Sequence, residues 1–372
     1  MNIKVILLAA LGLLILSCNT NKPFQQVKTD NPDFYANTVF KSYEDLSFPK
    51  FKALKEKYQL DTIFHGEKDE FKRILLLRHW IKKTIPIDRL VPHPGDGTAE
   101  GILDEALKGN GFHCAYFMVV HNEIMNACGF VPRIINADEG ALNLTDQIGH
   151  HGTNEIWSNT YRKWFFSDAM VDVHFEKNGI PLSALEIRDE YFKNKAADIK
   201  LVNGPGRKPV DFHPFYSDQD NRSKEIFARL FTWIAWFKQN DIYSNWDNGI
   251  SYLIVYEDEY FKNHKWIRSD GQPHWAYGTK YLVLNKSRKE LYWTPNIITS
   301  KVTINGNKAK VELNSITPFL KSYQMKEMPD GDWKDVSNTL EIELKKDKNK
   351  IVFRVVNLEG VTGPEHKIII ER

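Results

Sequence analysis

Cys114 stands where a glycine-containing loop runs into a predicted helix, and this position could make it a nucleophile. The loop Asn110–Cys114 precedes the apolar run Ala115–Ala127. Unpaired N–H groups at a helix N-terminus carry partial positive charge, which favours a thiolate and could stabilise an oxyanion. A buried structural cysteine is the alternative. We expect no disulfide to Cys128, because the intervening helix would separate the two by about 21 Å, whereas a bridge needs Cα atoms within about 7 Å.

A histidine and an aspartate on two predicted strands could complete this chemistry. If the strands are joined by a turn at Asn159–Thr160, His151 lies directly opposite Asp168 on one face of the hairpin, and His150 points to the other face. A carboxylate so placed orients the imidazole while its other nitrogen reaches a nucleophile. The pattern predicts a catalytic group of Cys114, His151 and Asp168. A surface histidine and a strand-end aspartate are the alternatives.

A metal site would be a different use of the same part of the chain. The possible ligands are His113, Cys114, His121, His150 and His151. Their spacing matches no strong zinc pattern, and His121 fits a packing or surface role two helical turns after Cys114. We therefore predict no metal and no cofactor.

The elements that would position these residues follow from the hydrophobic periodicity. Glu67–Thr84 has helical spacing, with acidic residues in its first turn and basic residues in its last. Gly101–Leu107 predicts a short helix, and Glu225–Gln239 predicts one longer apolar helix. From Tyr281 to the end the period is two, which is typical of a β-sandwich of about 90 residues. Asn305–Gly306 is a good hairpin turn.

The N-terminus is typical of a secreted chain. Lys4 precedes the apolar run Val5–Leu16, which is too short to span a bilayer and has the shape of a secretory signal. Leu14–Cys18 resembles a bacterial lipobox, in which Cys18 becomes the lipidated first residue; an ordinary signal peptide is the alternative. The polar residues after Cys18 lack an acidic run. We therefore expect a lipid anchor in the bacterial outer membrane, on its periplasmic face.

Composition excludes several classes of protein. The 372 residues contain 50 Lys+Arg and 48 Asp+Glu, and this near balance argues against a nucleic-acid binder that works by bulk charge. The 42% hydrophobic and 26% charged contents are those of a globular chain, not a disordered one. Three cysteines are too few for a disulfide scaffold. Beyond the leader, no apolar stretch predicts a transmembrane helix.

Several motifs together resemble the transglutaminase-like superfamily. They are Gly111–Phe117, Ala127–Ile135, His151 with Glu155 four residues later, and Trp164 with Asp168 four residues later. The resemblance covers about Gly101 to Met170. It implies a papain-like fold in which Cys114 is the nucleophile, His151 the base and Asp168 the orienting acid. Thr153 departs from the family, which usually has an aromatic residue there, and no oxyanion-hole side chain is evident. Asn349–Arg372 is similar to immunoglobulin-like or fibronectin-like domains.

The predicted architecture is α+β: a transglutaminase-like core with helices packed on an antiparallel sheet, followed by an all-β sandwich. We assign 1–17 to the signal peptide, 18–45 to a tether and lead-in, 46–275 to the core and 276–372 to the sandwich. The oligomeric state is not predicted.

The predicted function is cysteine-dependent acyl transfer on peptide or amide bonds through a Cys114 thioester. Hydrolysis is favoured over transamidation, because water is the default acceptor. The alternative is a non-catalytic lipoprotein of the same fold that binds glycans or peptides. The aromatic side chains that could stack on sugar rings are Trp233, Trp236, Trp246, Trp266 and Trp275. No nucleic-acid partner is expected, and contact with the membrane is expected through the lipid only.

Overall fold

The described part of the chain excludes its N-terminal leader and several internal segments. The computed structural model describes residues 22–40, 42–88, 97–139, 149–214, 221–241, 253–264 and 282–372. The predicted signal peptide, Cys18, most of the loop Pro92–Gly97, and Trp246, Trp266 and Trp275 lie outside these residues. Within them, no helix has the length and apolar character needed to cross a bilayer.

Helices dominate the first third of the described chain. Asp69 caps the second helix by accepting from the Lys72 N–H, and Thr98 caps the third by accepting from the Gly101 N–H. The predicted helices before residue 130 are confirmed with shifted starts. The helices are α1 (Pro49–Lys57), α2 (Glu70–Thr84), α3 (Ala99–Leu107), α4 (Cys114–Ala127), α5 (Ala184–Asn194), α6 (Lys224–Arg229), α7 (Glu259–Asn263) and α8 (Arg288–Leu291).

The strands form several mostly antiparallel sheets. They are β1 (Gln25–Thr29), β2 (Ser42–Tyr43), β3 (Pro132–Asp138), β4 (His150–Ser158), β5 (Lys163–Ser167), β6 (Val173–Lys177), β7 (Ile180–Pro181), β8 (Lys200–Asn203), β9 (Lys208–Val210), β10 (Phe212–Pro214), β11 (Asn221–Ser223), β12 (Trp233–Phe237), β13 (Gln239–Asn240), β14 (Leu253–Tyr256), β15 (Leu282–Asn285), β16 (Thr299–Asn305), β17 (Lys308–Asn314), β18 (Leu320–Glu327), β19 (Lys334–Val336), β20 (Thr339–Glu343), β21 (Lys348–Asn357) and β22 (His366–Glu371).

The largest sheet has six strands in the order β15-β14-β12-β3-β4-β5. Helix α4 packs on β4 and β3, and helices α1, α2 and α3 contact α4. The apolar residues between these helices and the sheet form one cluster that runs from Phe40 to Ile297. Because helices and mainly antiparallel sheets share this core, the α+β prediction is confirmed at that level.

Two predictions about individual elements are wrong. The segment Glu225–Gln239 is not one helix: α6 ends at Arg229, a 3₁₀ turn follows, and Trp233–Phe237 is strand β12. This run is rich in aromatic residues and lies between β3 and β14, where both faces are covered. A short apolar run buried on both faces has no period that separates strand from helix.

The second wrong prediction concerns the strand near Tyr281. The sequence places this strand with the C-terminal β-sandwich, but β15 pairs in parallel with β14 at the edge of the six-stranded sheet. Its period of two does not reveal which sheet it joins. Leu291 and Trp293, which follow it, are also buried in the large cluster.

The C-terminal part is all-β in the described residues. Sheet β16-β17-β20 and sheet β1-β22-β21-β18-β19 enclose a second apolar cluster, which includes Val311, Phe353 and Ile368. The predicted hairpin joins β16 to β17, but its turn is displaced by one residue: Asn305 pairs with Lys308, and the loop residues are Gly306, at φ 57°, and Asn307. The N-terminal strand β1 is an edge strand of this assembly, because it pairs antiparallel with β22. Phe24 adds its side chain to the cluster.

Candidate active site

Cys114 is the first residue of α4, as the loop sequence predicts. His113 is the N-cap: its backbone is extended, and its Nδ1 accepts from the Ala115 N–H at 3.3 Å. Phe112 is held on both sides, by its N–H on the Pro86 carbonyl and by its own carbonyl on the Asp88 N–H. A Cβ on Gly111 would lie 2.6 Å from the Asp88 Cβ, so this approach of the two backbones requires glycine.

The thiol of Cys114 is buried but surrounded by groups that favour its ionised form. Only 6% of the residue is exposed. Burial raises the pKa of Cys114, but hydrogen bonds from His113 and His151, the charge of His151 and the Gly152 N–H together hold that pKa well below its ordinary value. A thiolate is the reactive form of cysteine. The surroundings of the Cys114 sulfur therefore favour its thiolate form.

Cys128 behaves differently. It lies at the C-terminal end of α4 and forms no disulfide with Cys114 among the described residues. Burial raises its pKa to about 12. Cys128 is a small apolar residue of the core, as predicted, and it gives an internal reference for the reactivity of Cys114.

The structure brings His151 and Asp168 together. His151 Nε2 contacts Asp168 Oδ2, and both residues are buried. This contact leaves Nδ1 as the ring nitrogen that can face the Cys114 thiol. Burial lowers the pKa of His151, but the charge and hydrogen bond of Asp168, together with Cys114, raise it to about 9. At neutral pH the imidazole is therefore cationic beside the thiolate.

The predicted register of the hairpin is wrong by two residues. The last pair before the turn is Ser158 with Lys163, so the loop has four residues and not two. The Glu70 carboxylate explains the longer loop, because it accepts from Ser158 Oγ, from the Asn159 N–H and from Thr160. A shift of two residues keeps every side chain on its predicted face. His151 and Asp168 therefore meet diagonally across the strands instead of directly opposite each other.

A second imidazole–carboxylate pair lies at the start of β4, and the sequence reasoning missed its partner. His150 is opposite Asp138 on β3, and its Nδ1 lies 2.5 Å from Asp138 Oδ1. Burial lowers the pKa of His150, but the Asp138 charge and hydrogen bond, with a contribution from Cys114, raise it overall. The alternation in β3 could have shown which face Asp138 occupies, but not that it pairs with His150.

The tight turn that follows Asp168 is the other part of the site that the sequence did not predict. Asp168 and Val173 exchange both backbone hydrogen bonds, at 3.0 and 3.2 Å. Within the turn, the Val171 N–H donates to Asp168 Oδ1 at 3.1 Å. Asp172 takes a left-handed conformation at φ 55° and is nearly fully buried. Its carboxylate accepts from Arg78 Nε at 2.8 Å.

The candidate metal ligands do not form a ligand set. Helix α4 places His121 in the core, where burial lowers its pKa to about 3. His113 caps α4, and His150 and His151 pair with carboxylates. In the described ranges no three His, Cys, Asp or Glu side chains are arranged to hold a metal ion.

The two described tryptophans of the proposed stacking surface are buried. Trp233 is 3% exposed and Trp236 is fully buried, both on β12. The Trp236 indole N–H donates to the buried Glu155 carboxylate at 2.8 Å. These two rings are part of the core and cannot stack on a sugar.

Comparisons with known proteins add little to this picture. No family model matches the chain, and no curated protein matches it. Among solved structures, the spore cortex lytic enzyme SleM of Clostridium perfringens is similar over 24% of this chain and 31% of that chain, with 16% identity and a TM-score of 0.19. The match thus spans less than a third of that enzyme. A likeness this weak carries no argument about fold or activity.

Proposed function

We propose that the protein is a cysteine-dependent hydrolase of peptide or amide bonds, with Cys114 as nucleophile. The observation that carries the proposal is a buried cysteine at a helix N-terminus together with a buried imidazole that is held by the Asp168 carboxylate. In this setting the pKa of Cys114 is lowered and that of His151 is raised. A buried thiol and a buried imidazole that were only packing would each be neutral, because burial disfavours charge on either group.

In the proposed reaction the Cys114 thiolate attacks the amide carbonyl carbon to form a tetrahedral oxyanion. His151 gives its proton to the leaving nitrogen as the carbon–nitrogen bond breaks, which releases an amine and leaves a thioester on Cys114. Neutral His151 then takes a proton from water, and the resulting hydroxide attacks the thioester. The carbon–sulfur bond breaks, so that a carboxylic acid leaves and the thiolate is restored beside the imidazolium.

Asp168 would contribute by orienting His151. Its contact with Nε2 fixes the ring so that Nδ1 is directed to the sulfur, and its charge stabilises the imidazolium. The backbone N–H of Cys114 is the candidate donor for the oxyanion, because the N–H groups of Ala115 and Tyr116 already donate to His113. An amine in place of water would give transamidation by the same steps up to the thioester, and the favoured acceptor is water.

We also infer a transglutaminase-like core from the motif resemblance, together with the helix-start cysteine and the strand histidine paired with an aspartate. Likewise, the leader supports attachment through a lipid on Cys18 in a bacterial envelope, with the chain on the periplasmic face of the outer membrane. Palmitate labelling of Cys18 in a bacterial host, with Cys18→Ser as control, tests this attachment. Release of the wild-type chain in soluble form would contradict it.

The function is tested by the pH dependence of iodoacetamide alkylation on the full chain, with Cys114 and Cys128 followed separately by mass spectrometry. We expect Cys114 to react well below pH 7 and Cys128 to stay unmodified. A peptide mixture incubated with the wild type should yield cleaved products that Cys114→Ser does not produce. A Cys114 midpoint near the ordinary thiol value of about 8.5, or equal cleavage by the variant, would overturn the proposal.

A further inference from the structure

The turn that carries Asp168 is tied to α2 by a buried ionic network. Arg78 is fully buried and reaches Asp172 twice, through Nε to the carboxylate at 2.8 Å and through NH2 to the backbone carbonyl at 3.3 Å. His79, the next residue of α2, places Nδ1 2.6 Å from the other oxygen of the Asp172 carboxylate. The Asp172 carboxylate therefore contacts two consecutive side chains of α2, one at each of its oxygens.

The carbonyl of Asp172 is held from a third direction. The Asn203 side-chain amide donates to it at 3.1 Å, and the Gly204 N–H donates at 3.0 Å. The carboxylate of Asp172 is therefore bonded to helix α2, and its carbonyl is bonded to Asn203 and Gly204. The φ of Asp172 is 55°, a conformation that non-glycine residues rarely adopt. The surrounding contacts therefore impose the shape of the turn.

A buried ion pair of this kind is weak evidence of stabilisation, because the desolvation of two charges offsets their attraction. It does fix geometry, since the planar guanidinium of Arg78 donates to the carboxylate and to the backbone carbonyl of Asp172 at the same time. Helix α2 also packs on α4, which carries Cys114. The same helix thus contacts the element that holds the nucleophile and the turn that holds the acid.

We propose that Asp172, clamped by Arg78 and His79, is a positioning residue that sets where Asp168 meets His151. Asp172 would act on the site indirectly, by fixing the shape of the turn between Asp168 and Val173. This inference rests on the proposed function and names a further part of that same site.

Other titratable groups lie close enough to this turn to interact electrostatically with its carboxylates. Lys82 on α2 lies near both Asp168 and Asp172, and His121 on α4 lies near Asp168. Beyond Arg78 the network continues through His174 to Glu176, which also accepts from Arg207 at 2.6 Å. Glu176 is therefore a matched control, because it belongs to the network but is absent from the turn.

The experiment compares Asp172→Asn with Glu176→Gln in the full chain, using the pH midpoint of Cys114 alkylation. We expect Asp172→Asn to raise the midpoint by about one pH unit, equivalent to a roughly tenfold slower reaction at a pH below both midpoints. Glu176→Gln should leave the midpoint within about 0.2 units, even where it lowers the urea concentration of half-unfolding. Loss of stability alone does not move a midpoint measured on folded protein.

A third variant keeps the test decisive if Asp172→Asn does not fold. His79→Gln removes one partner of the carboxylate at a side chain that is 39% exposed, and it should shift the midpoint in the same direction by a smaller amount. An unchanged midpoint in the folded Asp172 or His79 variant, or an equal shift in Glu176→Gln, overturns the positioning role. An ordinary thiol midpoint in the wild type instead overturns the proposed function itself.

Discussion

Among the residues that the structure describes, two sets of residues combine a thiol or hydroxyl with an imidazole and a carboxylate, and their electrostatics and backbone settings differ. The first is Cys114 with His151 and Asp168. The second lies in the C-terminal β-region, where Ser300 Oγ is 2.8 Å from His366 Nε2 and His366 Nδ1 is 2.8 Å from Asp30 Oδ1. Both histidines are buried.

The electrostatics of the two sets are opposed. The carboxylate and the thiolate raise the pKa of His151 to about 9. Burial lowers the pKa of His366, and the attraction of Asp30 does not reverse this. The first imidazole, with its pKa raised to about 9, is therefore cationic at neutral pH. The second is a neutral ring that accepts a hydroxyl hydrogen bond.

The backbones around the two nucleophiles also differ. Cys114 begins helix α4, whose N-terminus places partial positive charge beside the sulfur. Ser300 lies in strand β16, and its N–H and carbonyl are both bonded to the Asn31 side chain. The second set joins the N-terminal segment to the sandwich, and its role is to fasten that segment. Residue types at hydrogen-bonding distance do not define a catalytic site unless charge and oxyanion donors accompany them.

The largest expected effect separates the two nucleophiles. Cys114→Ala should reduce peptide hydrolysis by about 10³-fold or more, because the covalent intermediate is lost. Ser300→Ala should keep it within about twofold. The measurement is the initial rate on any peptide that the wild type cleaves, and comparable losses in both variants would show that the sets do not differ in role.

The next effect separates the two histidines. His151→Ala should slow alkylation of Cys114 by roughly 10²-fold at a pH below both thiol pKa values, because removal of the imidazolium lets that pKa rise by about two units. His366→Ala should leave that rate unchanged. Mass spectrometry of the Cys114 peptide reports both variants, with Cys128 as the unreactive reference, and a fast His151→Ala reaction would contradict the pairing.

A smaller effect concerns stability as a function of pH. His366 has a folded pKa below its ordinary value of about 6.5, so the unfolded chain binds the proton more readily. Its contribution to stability is present above pH 6.5 and is lost as the pH falls below that value. Urea unfolding at pH 7.5 and 5.5 should show a smaller loss in His366→Asn than in the wild type. Equal losses would mean that His366 does not titrate on unfolding.

The smallest effect is expected at Cys128. Cys128→Ser places a hydroxyl in a buried apolar position, which should cost about 1–2 kcal/mol in the free energy of unfolding. The pH midpoint of Cys114 alkylation should not change. A shifted midpoint would mean that the two ends of α4 are coupled, which would remove Cys128 as an independent reference.

Local chemistry made part of this molecule predictable from its sequence. The loop before Cys114 and the charge pattern of Glu67–Thr84 contain their own signals, and both helices begin within a few residues of the prediction. The face shared by His151 and Asp168 was also predictable, because strand periodicity survives a register error of two residues.

The remainder depends on contacts between distant parts of the chain. Glu70 sets the length of a turn 89 residues away, and Arg78 anchors a turn 94 residues away. The segment β12 forms a strand because it pairs with β3 and β14 on its two sides, and its apolar sequence alone does not predict these partners. Such features arise from tertiary packing that overrides local preference.

The pairing of β1 with β22 has a consequence for the order in which the chain is completed. Asp30 accepts from the Lys367 N–H across 337 residues, so the fastening of the N-terminal segment involves nearly the whole chain. During synthesis the pairing of β1 with β22 cannot form until β22 has left the ribosome. The entropic cost of closing a loop grows only logarithmically with its length, so the large separation of β1 and β22 adds little to the free-energy cost of pairing them. Strand β1 therefore joins its sheet late in synthesis, although it precedes every other strand of that sheet along the chain.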